Sequence, residues 1–165
     1  MQDKGDTRLI LGIAPGIADT GWAVVKASPG GARVVESSSL KTYPYDILVV
    51  RIDGIVSAMK EVFHYFKPNE VAMESVIFSF PGLEREDSHE VAAGLRMLAW
   101  KEGHHVHEYH PLRVREVTSG YVHADKEMMA FAVSSALGMK SNCPHRINAA
   151  AVAYTHILGG GKDGE

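Results

Sequence analysis

Glu74, His145 and Asn148 are the residues whose types and spacing bear most directly on chemistry. Glu74 closes the short apolar run Glu70-Val71-Ala72-Met73, which reads as a buried strand finishing on a carboxylate. His145 and Asn148 are three apart in an alanine-rich stretch, so on a helix they share one face. A carboxylate, an imidazole and an amide oxygen gathered in one place make an oxygen-rich donor set suited to Mg²⁺. The fourth position that matters, Ala14, has no functional group. It ends the apolar run Leu9-Ile10-Leu11-Gly12-Ile13 just before Pro15-Gly16, at a strand end beside a turn, where sheet folds place their chemistry.

The elements that must bring these positions together follow from patterning. Residues 9–13 form a run short and apolar enough for a strand buried on both faces. Pro15 cannot donate to a ladder, so pairing stops at Ala14, and Thr20-Gly21-Trp22-Ala23-Val24-Val25 returns as an antiparallel strand. After the Pro29-Gly30-Gly31 turn, residues 32–37 complete a meander. Residues 47–66 are helical by period, with Ile52, Ile55, Met59, Val62 and Phe66 on one stripe. A helix in that place lets strand 70–74 lie parallel to the first strand through a right-handed crossover, which sets Ala14 beside Glu74. Helix 84–102, strand 105–109, and helices 111–117, 124–137 and 145–158 follow. The expectation is one α/β domain over residues 9–158, a five-stranded mixed sheet flanked by helices, with a loosely ordered segment 1–8 and a flexible tail 159–165.

At 165 residues the chain suffices for one domain with a sizeable core. Its net charge of −3 argues against wholesale non-specific nucleic-acid binding but leaves room for a local basic face. Cys143 is the single cysteine, which excludes an intrachain disulfide framework and suits a reducing compartment. Residues 1–7 hold no apolar signal region, and no apolar run reaches membrane-spanning length. A cytoplasmic soluble protein with no membrane association is expected.

Four stretches in order resemble one known family. They are G-I-A-P-G (residues 12–16) with T-G-W (20–22), V-A-M-E-S-V-I-F (71–78), H-P-L-R-V-R-E-V-T-S-G-Y-V-H-A-D-K-E (110–127) and H-R-I-N-A-A-A-V-A-Y-T-H (145–156). As a set, covering nearly the whole chain, they resemble the RuvC Holliday-junction resolvases, crossover junction endodeoxyribonucleases of the ribonuclease-H-like fold. The resemblance implies a homodimer that nicks symmetric strands of a four-way DNA junction, uses two Mg²⁺ per active site, and works beside a branch-migration helicase complex. It also implies that the catalytic and metal-binding positions are Ala14, Glu74, His145 and Asn148. Glu74 matches the family outright, and His145 matches its histidine form, which as a neutral imidazole ligates metal or orients the attacking water.

Ala14 and Asn148 depart from the family, which has aspartates at both positions. Carboxylates that place the ions carry two-metal catalysis, so weak Mg²⁺ binding and lost or nearly lost cleavage are expected. Two accounts of the missing acids stand open. Asp→Ala and Asp→Asn are the changes made deliberately to trap an uncleaved complex, and Pro15, Gly16, Thr20 and Gly21 around the gap are intact. Equally, a natural paralogue that binds branched DNA without cutting fits Arg146 and Ile147, which stand where the family has small residues.

The resemblance further implies DNA contacts. Arg115 and Lys126 match basic positions near the scissile phosphate, and Arg113 is close to them in sequence; the bland alternative for each is a solvated helix face. Phe78 stands where the family presents an aromatic ring to unstacked bases at the junction centre. His104, His105, His107 and His110 look like a metal cluster, but strand alternation splits them between faces, and surface or edge positions are expected. The turn at residues 15–16 also brings to mind phosphate-cradling ATPases, but those need a second such domain for which this chain is too short.

Overall fold

The computed structural model describes residues 7–76 and 86–159. Phe78 lies outside the described residues, as do residues 1–6 and 160–165 of the expected loose N-terminus and tail. The elements run β1 (Arg8–Ala14), β2 (Asp19–Ser28), β3 (Gly31–Lys41), α1 (Leu48–Phe66), β4 (Glu70–Glu74), α2 (Glu86–Lys101), β5 (Val106–Tyr109), α3 (Pro111–Ser119), α4 (Lys126–Leu137) and α5 (Pro144–Ile157). The expected α/β architecture is found. One sheet has the order β3-β2-β1-β4-β5, antiparallel across β3, β2 and β1 and parallel across β1, β4 and β5. β1 begins one residue earlier than the apolar run suggested, and β3 continues four residues beyond Ser37. The continuation is polar because β3 is an edge strand: Ser38 and Ser39 pair with Trp22 and Gly21 without needing burial.

Alternation along the buried strands divides the core in two. Leu11, Ile13, Val71 and Met73 pack against Ile55, Met59 and Phe63 of α1 and Val91, Leu95 and Leu98 of α2. Gly94 belongs to this side, where an added Cβ would lie 3.1 Å from Val56 of α1. On the other face Ile10, Ala14 and Ala72 meet α5, whose Ala149, Ala150, Ala151, Val152 and Ala153 are buried, with Val114 of α3 and Met129 and Val133 of α4 behind.

α5 sits unusually close to the sheet. A Cβ on Gly12 would stand 2.0 Å from the carbonyl oxygen of Ala149, and one on Gly21 would stand 2.0 Å from that of His145. Those two glycines, on adjacent strands, form the seam on which the helix rests. Both ends of α5 are also tied down. At the start, Arg146 donates to Ser37 Oγ on β3 from Nε (3.1 Å) and Nη2 (2.9 Å). Near the finish, His156 Nε2 is 2.6 Å from Glu70 Oε2, and its Nδ1 is 2.6 Å from the Tyr109 hydroxyl. With Nε2–H donating to Glu70, Nδ1 accepts the hydrogen bond that the Tyr109 hydroxyl donates.

Arg8 joins this cluster from β1 with a 2.7 Å bond to Glu70, and His107 stacks over His156 with ring centroids 4.5 Å apart. His105 in turn lies edge-on to His107 at 5.3 Å. His107 is therefore part of the packing and not a plain edge residue. Burial lowers its pKa, the neighbouring His156 and His105 lower it further, and Glu70 opposes them. Burial pushes the Glu70 carboxyl up, but hydrogen bonds from His156 and Arg8 outweigh it and hold the group below the ordinary carboxylate range.

Two outcomes follow. Gly21→Ala drives a methyl into the α5 backbone, at a cost of about 1–3 kcal/mol or more. The thermal midpoint is expected to fall by about 5 °C or more, whereas Gly30→Ala, with nothing within 4 Å of its Cβ, leaves it unchanged. The second outcome concerns acid. An unfolded chain takes up a proton at His107 more readily than the folded one, so stability falls as pH drops below about 6.5, the ordinary imidazole value. The depressed Glu70 adds stability that is present above the ordinary carboxylate range and is lost as pH falls through its lower folded value. Denaturant midpoints measured against pH should decline in these two stages, and His107→Gln should flatten the upper one.

Candidate active site

The turn between β1 and β2 is held rigidly. Thr20, fully buried, accepts from the Gly16 N–H (3.2 Å) and donates to the Gly16 carbonyl (2.7 Å). The carbonyl of Ile17 accepts from Thr42 Oγ1 (2.6 Å), Ala18 O accepts from the Thr42 N–H (3.2 Å), and the Ile17 N–H donates to Ser88 Oγ of α2 (3.3 Å). Arg51 of α1 donates to Thr42 Oγ1 at 2.9 Å and backs the same corner. The turn is thus fixed from α1, α2 and the end of β3.

Ladder register decides which residues look into the space above that turn. Ile13 pairs with Met73, so Ala14 and Glu74 end neighbouring parallel strands side by side. Ala14 pairs with Gly21, and paired residues face the same way; Asp19, two before Gly21, shares that face. The seated α5 brings His145 and Asn148 over them from its first turns. Ala14, Asp19, Glu74, His145 and Asn148 all line one cavity of about 360 Å³, together with residues 15–18, Ser75, Val76, Ser88 and Pro111. The four positions singled out from sequence therefore converge.

Asp19 is the residue that sequence reading passed over. Its side chain is 13% exposed, and Oδ2 stands 3.9 Å from His145 Nε2, too far for a hydrogen bond. Its other oxygen, Oδ1, is shut off from solvent with no hydrogen-bond partner among the described residues. Counting back from the hairpin would have found it, since a residue two before the partner of Ala14 must share Ala14's face.

Arg115 and Lys126 line a smaller hollow of about 90 Å³ with Asp125, Pro144 and Asn148. Asn148 belongs to both spaces, so the two cations stand at the flank of the main cavity. Arg113 is not brought there: it donates to Glu116 one helical turn on, at 3.0 Å. Asp125 caps α4 by accepting from the Met128 N–H (2.9 Å). Arg146 turns away to Ser37, and Ile147 is buried, so neither enters the cavity. His110 caps α3 by accepting from the Leu112 N–H (3.2 Å), and His104 packs near Phe63. Among the described residues no group of three or more His, Cys, Asp or Glu side chains is placed so that it could hold a metal ion.

A five-stranded sheet of this order, with helices on both faces and a polar cavity at the carboxyl ends of its central strands, defines the ribonuclease-H-like α/β class. Within that class, the sequence profile described as crossover junction endodeoxyribonuclease RuvC matches residues 10–156, and the chain belongs to this family. The crossover junction endodeoxyribonuclease RuvC of Thermus thermophilus is 32% identical over 158 residues, covering 91% of this chain and 93% of that protein. The solved structure of T. thermophilus RuvC in complex with Holliday junction substrate matches with a TM-score of 0.84 at 29% identity, over 93% of this chain and 94% of that one. The yeast mitochondrial Holliday junction resolvase Ydc2 shares the fold, with a TM-score of 0.63 at 12% identity over 87% of this chain and 75% of its own.

Proposed function

We propose that this chain binds four-way DNA junctions as a resolvase of the RuvC family and cleaves them slowly or not at all. The observation that carries the reading is the composition of the cavity wall. Ala14 and Asn148 line it at positions where the resemblance implies aspartates, while Arg115 and Lys126 stand on its flank. Attraction to phosphate depends on the cations and counterion release, so it survives the loss of the acids. Strand cleavage depends on the acids.

Glu74, His145 and Asn148 are the family positions that remain to hold Mg²⁺. When bound, the ion neutralises charge on the scissile phosphate and acidifies a water. These residues do not fit the ion as they stand: no three His, Cys, Asp or Glu side chains among the described residues are placed to hold one, and two such ions would bring four positive charges against the two carboxylates of the wall, Glu74 and Asp19. His145, with its ring partly in solvent, is free to accept a proton from water at the phosphate or to orient it. Phe78 is the aromatic that would meet unstacked bases.

Residues 9–158 act as one nuclease domain, and two copies form the working unit, one cavity for each symmetric strand. Met97 and Trp100 on α2, 57% and 76% exposed, offer the apolar surface that such a pairing covers. A branch-migration helicase complex is the partner this activity calls for, in the cytoplasm. No helix among the described residues is long and apolar enough to cross a membrane.

Gel shifts against four-way, forked and linear duplex DNA in EDTA test recognition directly. A clear preference for the four-way substrate is expected, and equal affinity for linear duplex would refute the reading. Arg115→Ala and Lys126→Ala should each weaken binding at all sequences and reduce the salt slope by about one. Ala14→Asp combined with Asn148→Asp should raise Mg²⁺-dependent nicking on the order of a hundredfold or more.

A further inference from the structure

We propose that Tyr43 and Tyr45 form a stacking platform for a base of the junction DNA, on the flank of the cavity away from Arg115 and Lys126. This rests on reading the cavity as the place where a backbone phosphate of the junction is held, and it adds a contact to bases. Placement comes first. Lys41, the last residue of β3, pairs with Asp19 of the cavity wall, so β3 delivers the chain to the end of the sheet where Ala14 and Glu74 stand. Thr42 is bonded to that wall twice, through its N–H to the Ala18 carbonyl and its hydroxyl to the Ile17 carbonyl. Tyr43 follows at once, and the turn leads into α1, which packs on the sheet face opposite α3, α4 and α5. A strand laid across the cavity therefore meets the two cations on one side and the tyrosines on the other.

The two rings are held out in water by a preset turn. The Tyr43 carbonyl accepts from the Asp46 N–H (3.2 Å), closing a β-turn whose second position is Pro44. Arg51 braces it from α1 by donating to Thr42 Oγ1. Tyr43 is 61% exposed and Tyr45 84%, with ring centroids 5.2 Å apart and planes 58° apart, so the rings do not stack face to face. Aromatic area left in water is unfavourable, and a nucleobase covers it with a flat surface whatever its sequence. The braced turn has little freedom to lose when that happens. Lys41 is exposed at the foot of the turn and attracts phosphate, against one acid, Asp46, within it. Ile47, Val49 and Val50 continue the exposed surface onto α1. Aliphatic groups cover a sugar or a protein equally well, so the occupant is decided by the tyrosines, Lys41 and the shared wall.

Binding of the full chain to four-way DNA in EDTA, measured over a range of salt, tests this without any cleavage. Tyr43→Ala combined with Tyr45→Ala should weaken binding by about tenfold or more, the effect of losing a stacked base. The salt slope should stay as it is, because no cation is removed, and so should the thermal midpoint and the sedimentation coefficient. Tyr43→Phe combined with Tyr45→Phe, which keeps both rings, should bind as the unmodified chain does. Junctions carrying 5-iodouracil beside the crossover should photo-cross-link to Tyr43 or Tyr45. An alanine pair that binds as the unmodified chain does, a phenylalanine pair as weak as the alanine pair, or cross-links only elsewhere would each overturn the proposal. So would a changed sedimentation coefficient with DNA affinity intact, which marks a protein contact. If the unmodified chain prefers four-way DNA and the alanine pair matches it, the platform is wrong and the junction-binding reading stands. If that preference is absent but the alanine pair still loses affinity for DNA with unpaired bases, the platform stands and the functional reading fails.

Discussion

The close seating of α5 on two glycines governs the rest of this structure. Gly12 and Gly21 lie on adjacent strands, and a methyl on either would collide with the backbone of α5. The short alanines of the helix complete the fit, since larger side chains at 149 or 153 would lift it away. Lifting the helix by the width of a methyl would carry His145 and Asn148 off the cavity by the same amount. Ties at both ends, Arg146 to Ser37 and His156 to Glu70 and Tyr109, hold the helix along its axis. The chemistry of the site therefore depends on residues that have no chemistry.

Charge is distributed around this frame in two separable groups. The cavity holds Glu74 and Asp19, with His145 between solvent and Asp19, while Arg115 and Lys126 lie to the side past Asn148. A polyanion gains from the cations over several ångströms and through released counterions. Hydrolysis at a phosphate needs oxygens held within a fraction of an ångström of their productive places. Alanine at 14 and the neutral amide of Asn148 bear on the second requirement and leave the cations of the first in place. The net charge of −3 is consistent with this, because the basic residues that matter are few and placed on one flank.

Much of the frame was legible in the sequence because its signals are local. Apolar runs marked β1, β2 and β4, the Pro29-Gly30-Gly31 turn marked the start of β3, alternation marked β5, and the helix between β3 and β4 dictated the parallel pairing that sets Ala14 beside Glu74. Convergence of positions 14, 74, 145 and 148 followed from that topology together with the family resemblance. What escaped were features settled by register or by contacts between distant segments. Asp19 reads as an ordinary turn residue, since Asp is common in turns. Only the pairing of Ala14 with Gly21 reveals where it faces. Arg146 looked like an intrusion into a small-residue motif, yet it reaches across to β3, a contact 109 residues distant that no local pattern encodes. His107 looked like an edge residue because its partner, His156, arrives from the last helix.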